Sequence, residues 1–229
     1  MIWVILIGFM ILSWLVGNQL KSRFKKYAAV PTSSGLSGAE IAEKMLRDNN
    51  IYDVQVMSVQ GQLTDHYNPQ NKTINLSHDV YTGRNVSAAA VAAHETGHAV
   101  QHAQAYSFLQ FRSAMVPLVG LSSKLMNIIF IASIFFSFVL SVFSFQQMIF
   151  IVVLAQGVIT LFSLVTLPVE FDASNRALAW LNASGITRGT EYDNAKDALK
   201  WAAMTYVVSA LAAISTLLYY VTMLTGGDD

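Results

Sequence analysis

Apolar and polar positions in this chain separate into long blocks with little mixing. From Leu125 to Val169 there is no charged side chain, and from Ala202 to Gly227 there is none either. A helix needs about 20 apolar residues to cross the hydrocarbon core of a bilayer. Four runs meet that length: Ile2–Leu20, Leu125–Phe143, Gln147–Pro168 and Ala202–Leu224. The pattern therefore predicts four transmembrane helices, with polar segments at about 21–124 and 169–201.

Inside the polar segments the period shortens and changes type. Residues 21–36, KSRFKKYAAVPTSSGL, are basic and then rich in Pro, Ser and Gly, which reads as a linker. SGAE follows, with Ser37 three residues ahead of Glu40, the spacing of a capping box. It predicts a helix from Ser37 to about Asp48 that buries Ile41, Met45 and Leu46. VQVMSV at 54–59 and TINLS at 73–77 read as strands, the second alternating Ile74 and Leu76 with polar neighbours. LTDHY before the turn signal NPQN suggests a hairpin pairing Leu63–Tyr67 with Thr73–Ser77. Ser87 is the expected cap of a long alanine-rich helix, SAAAVAAHETGHAVQHAQ, in which Gly97 costs about 1 kcal/mol of helix propensity. In the second polar segment a helix is expected from Glu170 to the stop NASG at Gly185. Thr190 with Asp193 should open another that runs into the last apolar block.

Composition sharpens this picture. The chain is 54% hydrophobic and only 12% charged, whereas soluble domains carry about 25% charged residues. It reads as an integral membrane protein. It has no cysteine, so a metal site must use nitrogen and oxygen ligands. Net charge is zero and no basic patch suits nucleic acid. The first apolar run lacks a basic region ahead of it and has KSRFKK behind it, which predicts a retained anchor rather than a cleaved signal peptide.

Lys and Arg collect on the cytoplasmic side of membrane proteins. Lys21, Arg23, Lys25 and Lys26 follow the first span, so the N-terminus is expected outside and residue 21 inside. Threading onward places 21–124 inside, the turn at Ser144–Gln146 outside, 169–201 inside and the TGGDD tail outside. All 14 Lys and Arg residues then face the cytoplasm. Two spans, an even number, separate His94 from Glu170, so both are expected in the same compartment and able to share a metal.

AAHETGHAVQHA, Ala92 to Ala103, holds three of the five histidines. His94 and His98 are i and i+4, on one face of a helix, and two imidazoles so placed can point at one ion. Glu95 projects to the flank of that face, where it reaches a water on the metal rather than the metal. Zinc lowers the pKa of such a water towards about 7, and the carboxylate takes the proton. That is the mechanical content of His-Glu-x-x-His. The bland reading is a chance match on a polar helix. An alanine and valine face is a poor place for two histidines and an acid without a task. Catalytic zinc usually has three protein ligands. A third histidine six residues past His98 is lacking, since Gln104 stands there, and His102 is too far along the axis. Glu170, directly after a membrane span where an unbound carboxylate is costly, is the expected third ligand.

The stretch GQLTDHYNPQNKTINLSHDVYTGRNVSAAAVAAHETGHAVQHA, with QFRSAMVPLV, LPVEFDASNRAL and AAMTY, resembles the YugP-type family of bacterial membrane proteins, described as neutral zinc metallopeptidases. The resemblance extends over nearly the whole chain. More distantly, EFDAS is similar to the Glu-Phe-x-Ala-Asp motif of HtpX-like and CAAX-prenyl proteases. That likeness implies Glu170 as the third zinc ligand. The motif's final Asp, which steadies a histidine, falls on Ser174, and Asp172 or Asn175 are the alternatives for that role.

The expectation is thus a mainly α-helical integral membrane protein, four transmembrane helices with a small α+β zincin-like cytoplasmic portion, acting as one metallopeptidase domain over 1–229. One Zn²⁺ per chain is held by His94, His98 and Glu170, with Glu95 as general base. His66, Tyr67, Arg112 and Arg176 are candidates for steadying the oxyanion, and Thr73–Ser77 for binding an extended substrate by strand addition. The implied setting is a multi-pass protein of the bacterial plasma membrane with both termini outside and its site cytoplasmic. Its partners are the lipid bilayer and membrane-associated protein or peptide substrates. The competing class is a non-catalytic scaffold with a structural zinc, for which Glu95 has no use. A transporter is disfavoured because no span carries a charge.

Overall fold

The computed structural model describes residues 2–134 and 144–226. The end of the expected second span, 135–143, and the last three residues of the TGGDD tail lie outside the described residues. Among the described residues, seven helices and three strands follow one another: α1 (Ile2–Ala28), α2 (Gly38–Asp48), β1 (Gln55–Val59), β2 (His66–Asn68), β3 (Thr73–Ser77), α3 (His78–Thr82), α4 (Val86–Ala103), α5 (Ser107–Ile134), α6 (Phe145–Ala183) and α7 (Thr190–Thr225). Four of them, α1, α5, α6 and α7, are long and apolar enough to cross a membrane. The fold is that of a mainly helical membrane protein with a small α+β portion.

The chain divides into two compact units, one of them made of Leu15–Gln110 and Pro168–Thr205. Its core is built where amphipathic short elements meet the alanine-rich α4. Ile41, Met45 and Leu46 of α2, Ile74 and Leu76 of β3, Ala177 and Leu181 of α6, and Ala198 and Leu199 of α7 pack with Ala89, Ala93 and Val100 of α4. Each large aliphatic side chain buried in this way contributes about 1.5–3 kcal/mol. The capping box forms as its spacing predicts: Ser37 N–H donates to Glu40 Oε2 at 2.7 Å and Glu40 N–H to Ser37 Oγ at 3.3 Å.

The sheet order is β1-β3-β2. β1 runs parallel to β3, with Gln55 opposite Thr73, and β2 antiparallel, with His66 opposite Asn75. Three sequence expectations change here. The hairpin strand is His66–Asn68 rather than Leu63–Tyr67, because Leu63 turns to φ +57 and Asp65 Oδ1 takes the Ser77 N–H at 2.7 Å in place of a backbone partner. β3 is the central strand, paired on both sides, so Thr73–Ser77 offers no edge for strand addition. The cap of α4 is Asn85, whose Oδ1 accepts from Ala88 N–H at 2.9 Å; Ser87 lies inside the helix and is buried.

A fourth difference concerns Glu170. No helix begins there; α6 runs without interruption through Pro168. Proline in a helix interior removes one backbone hydrogen bond, a defect that membrane helices accommodate. The stop near Gly185 forms as expected. Gly185 takes φ +70, its N–H reaches Asn182 O, and Ile186 N–H reaches Leu181 O. These are the two bonds of a Schellman motif.

The other unit holds the chain up to Trp14, from Phe111 to Leu167 and from Tyr206 onward. Thr160 Oγ1 donates to Ala213 O at 3.1 Å and Gln156 Nε2 to the same oxygen at 3.3 Å. Large apolar side chains such as Trp3, Leu121, Ile128 and Phe150 are exposed, the surface that lipid covers. α5 begins at Ser107, well before Leu125, so Arg112 and Lys124 both belong to it.

Candidate metal centre

His94 and His98 stand one turn apart on α4, with rings meeting edge to face and centroids 4.8 Å apart. Glu170 comes to them from α6. Its Oε2 is 3.4 Å from His94 Nε2 and 3.7 Å from His98 Nε2. The three residues could hold a metal ion, since one donor atom from each lies within 4.8 Å of the others. Glu170 is 2% exposed.

Gly97, the residue before His98, explains how two helices approach so closely. A Cβ there would stand 2.7 Å from the backbone oxygen of Ala173. Its absence lets α4 lie against α6 at the level of the three donors. The propensity lost in the helix is offset by a contact that another residue would block.

The outer nitrogens of both imidazoles are occupied. His98 Nδ1 faces Gln101 Oε1 at 3.0 Å. Gln101 Nε2 donates to Val169 O and to Asp172 Oδ2, both at 2.8 Å. With both amide hydrogens spent, Oε1 is the acceptor, so the neutral His98 ring carries its proton on Nδ1 and leaves the Nε2 lone pair for a metal. His94 Nδ1 lies 3.1 Å from Ser174 Oγ. Ser174 therefore occupies the steadying position itself, by a hydroxyl in place of a carboxylate. Asp172 reaches His98 at one remove, through Gln101, and Asn175 is exposed.

Burial by itself would lower the His98 pKa. The Glu170 carboxylate outweighs it, helped by the charge of Glu95 and the bond to Gln101, and the pKa is raised.

Glu95 is buried at 9% exposure and its Oε2 accepts the backbone N–H of Tyr67 at 3.0 Å. The Tyr67 hydroxyl lies 2.7 Å from His102 Nδ1. Burial first, and then the charge of Asp53, push that phenol up to about 12, so it keeps its proton beside the imidazole. His102 is thus a partner of Tyr67 and stands outside the metal-competent group.

The other polar candidates are committed. His66 bonds Thr64 O through Nδ1 at 2.7 Å and meets Asn75 Nδ2 through Nε2 at 3.3 Å. Arg176 donates to Asp172 Oδ2 at 2.5 Å and Gln104 Oε1 at 2.6 Å. The guanidinium of Arg112 lies over the Phe162 ring, 5.9 Å from its centroid. Sequence reasoning missed Gln101 and the Tyr67 main chain. Gln101 carried a signal, since it is i+3 from His98 on the same helix face; a backbone N–H carries none.

Zinc fits this donor set. Tetrahedral bonds of about 2.0–2.2 Å set neighbouring ligand atoms roughly 3.3–3.6 Å apart, close to the 3.4 and 3.7 Å separations seen. Two imidazoles and a carboxylate are ligands it takes readily. A family model described as "Putative neutral zinc metallopeptidase" matches residues 2–225. The chain is also 38% identical over 218 residues to "Putative membrane protease YugP" of Bacillus subtilis (strain 168), covering 95% of this chain and 94% of that protein. No solved structure matches it. Since the family match takes in all but the first residue and the last four, the chain belongs to the family described as "Putative neutral zinc metallopeptidase".

Proposed function

We propose that this chain is a zinc-dependent endopeptidase of the bacterial plasma membrane, hydrolysing peptide bonds at the cytoplasmic surface. The observation that carries this reading is the convergence of His94, His98 and Glu170, with the buried carboxylate of Glu95 beside the two histidines on the same helix. A purely structural site would need only the three donors.

When bound, zinc supplies Lewis acidity, polarising a carbonyl and making water acidic near neutral pH. The rest falls to the protein. His94 and His98 present Nε2 lone pairs because Ser174 and Gln101 hold their outer nitrogens. Glu170 brings the one negative charge among the ligands. Glu95 is the general base: Tyr67 N–H fixes Oε2, and Oε1 takes a proton from the attacking water and returns it to the leaving amine.

The compartment follows from charge. A topology with 21–124 and 169–201 in the cytoplasm puts all 14 Lys and Arg there. Glu170 is two residues, about 3 Å of helical rise, beyond Pro168, the expected end of the third span. Substrates are therefore membrane proteins or peptides held near that surface.

The deciding experiment follows cleavage of a membrane-tethered reporter by the purified, zinc-loaded protein beside Glu95→Gln, with zinc content measured in both. Cleavage should fall by at least about 100-fold in the variant, the scale of general-base catalysis, with zinc retained. Equal rates in both would sink the reading, leaving the non-catalytic zinc scaffold. Loss of zinc from Glu95→Gln would show Glu95 to be a ligand instead.

A further inference from the structure

A groove of about 530 Å³ lies in the same unit as the metal-competent cluster, one helical turn before it. Lys21, Phe24, Lys25 and Ala28 of α1 form one wall; their i, i+3, i+4, i+7 spacing is a single helix face. Ser87 and Val91 of α4 also line it, and Glu95 is the next position on that stripe, four residues on. The opposite side comes from Gln62, Leu63 and Asp65, the segment that leads into β2, where Tyr67 N–H holds Glu95. Both α4 and this segment thus lead from the groove to Glu95.

Its lining is largely apolar and carries two lysines and two acids. Phe24, Leu63, Val80 and Val91 supply apolar surface, and Leu63 is 50% exposed. Asp65 spends both carboxylate oxygens on Ser77. Asp65 and Asp79 both keep their charge, but neither lies within 4 Å of Lys21 or Lys25, which have no ion-pair partner among the described residues and are exposed to a ligand's acid. α4 rises about 6–12 Å between the groove residues Val91 and Ser87 and Glu95, the length of two to four residues of extended peptide.

We propose that this groove is a specificity site for the peptide substrate. It takes a large apolar side chain beside an Asp or Glu, two to four residues from the bond cleaved, with the acid paired to Lys21 and Lys25. The proposal rests on the peptidase reading, so its test separates the two.

Binding of fluorescent peptides is measured on the full-length, zinc-loaded Glu95→Gln protein in detergent micelles, with a Leu-Glu peptide and its Leu-Gln counterpart. The acidic peptide should bind about five-fold more tightly, the scale of two exposed ion pairs. The double variant Lys21→Gln/Lys25→Gln should erase that preference; it keeps Arg23 and Lys26 for membrane insertion. Ala28→Trp, at an exposed position on the groove wall, should weaken both peptides about ten-fold by filling the space. Equal binding of the two peptides, or a preference that survives loss of both lysines, overturns the proposal even if the wild type cleaves its reporter. The preference as expected, with a zinc-loaded wild type that cleaves its membrane-tethered reporter no faster than Glu95→Gln does, leaves the groove as an acidic-peptide binding site but overturns both the peptidase reading and the groove's role in choosing the bond cleaved.

Discussion

Gln101 is fully buried and uses its whole amide: Oε1 for His98, Nε2 for Val169 O and Asp172 Oδ2. It fixes the tautomer of one donor and ties that donor to the helix carrying another. Gln101→Leu keeps much of the volume but leaves His98 Nδ1–H, Val169 O and Asp172 without this partner. Zinc affinity should fall about 10–100-fold, the usual cost of losing an outer partner of a metal-bound histidine, as read by competition with a chromophoric chelator. The raised His98 pKa gives a second expectation. Zinc takes the neutral ring, so affinity should decline as pH falls, starting above the ordinary imidazole value of about 6.5. In the metal-free protein the sign is opposite. A folded-state pKa above the unfolded one contributes stability in full below the unfolded value and loses it as pH rises through the folded one. From pH 5 to 8, zinc affinity read by chelator competition should therefore rise while the thermal midpoint of the metal-free protein falls. Much at this scale was legible, because His94, Glu95 and His98 belong to one helix and their relation is local. The Tyr67 and Ser174 contacts were not, since they join positions 28 and 80 residues apart.

At the scale of elements, the junction of α4 and α6 turns on Gly97. Helix propensity alone says that Gly97→Ala should stabilise by about 1 kcal/mol. Packing says the reverse, because the new Cβ would meet Ala173 O at 2.7 Å and backbone cannot move aside cheaply. Overpacking of this kind costs about 1–3 kcal/mol, so packing should win. Gly97→Ala should lower the thermal midpoint and weaken zinc binding together. A raised midpoint with unchanged zinc affinity would mean that the two helices are free to separate. Element by element, the sequence was readable where signals are short-range. The Ser37–Glu40 box and the Gly185 stop stand at their expected places because each is satisfied within a few residues. The central position of β3 was not readable. Its parallel pairing with β1 joins Gln55 to Thr73, with β2 intervening in the chain, and no local pattern records which neighbour a buried strand acquires. Asn85 displaced Ser87 as cap for a related reason, since either side chain could have served and the cap fell two residues earlier.

At the scale of the whole molecule, charge segregation is the feature from which sidedness follows. Positive residues are costly to carry across a membrane and their bias orients the spans. An even number of spans between His94 and Glu170 is what lets them share an ion on either side of the membrane; the proposed topology, read from charge, puts both in the cytoplasm. The absence of cysteine from the chain makes a direct test available, because any introduced thiol is the only one present. Gln70→Cys lies in the exposed turn between β2 and β3, and Ser144→Cys is exposed just ahead of α6. In intact cells a membrane-impermeant maleimide should label Ser144→Cys and leave Gln70→Cys unlabelled until the membrane is permeabilised. The reverse pattern would put the metal-competent cluster outside the cell and remove cytoplasmic substrates from consideration. Labelling of both in intact cells would break the even count of spans between the two segments, and with it the argument that one compartment contains all three donors.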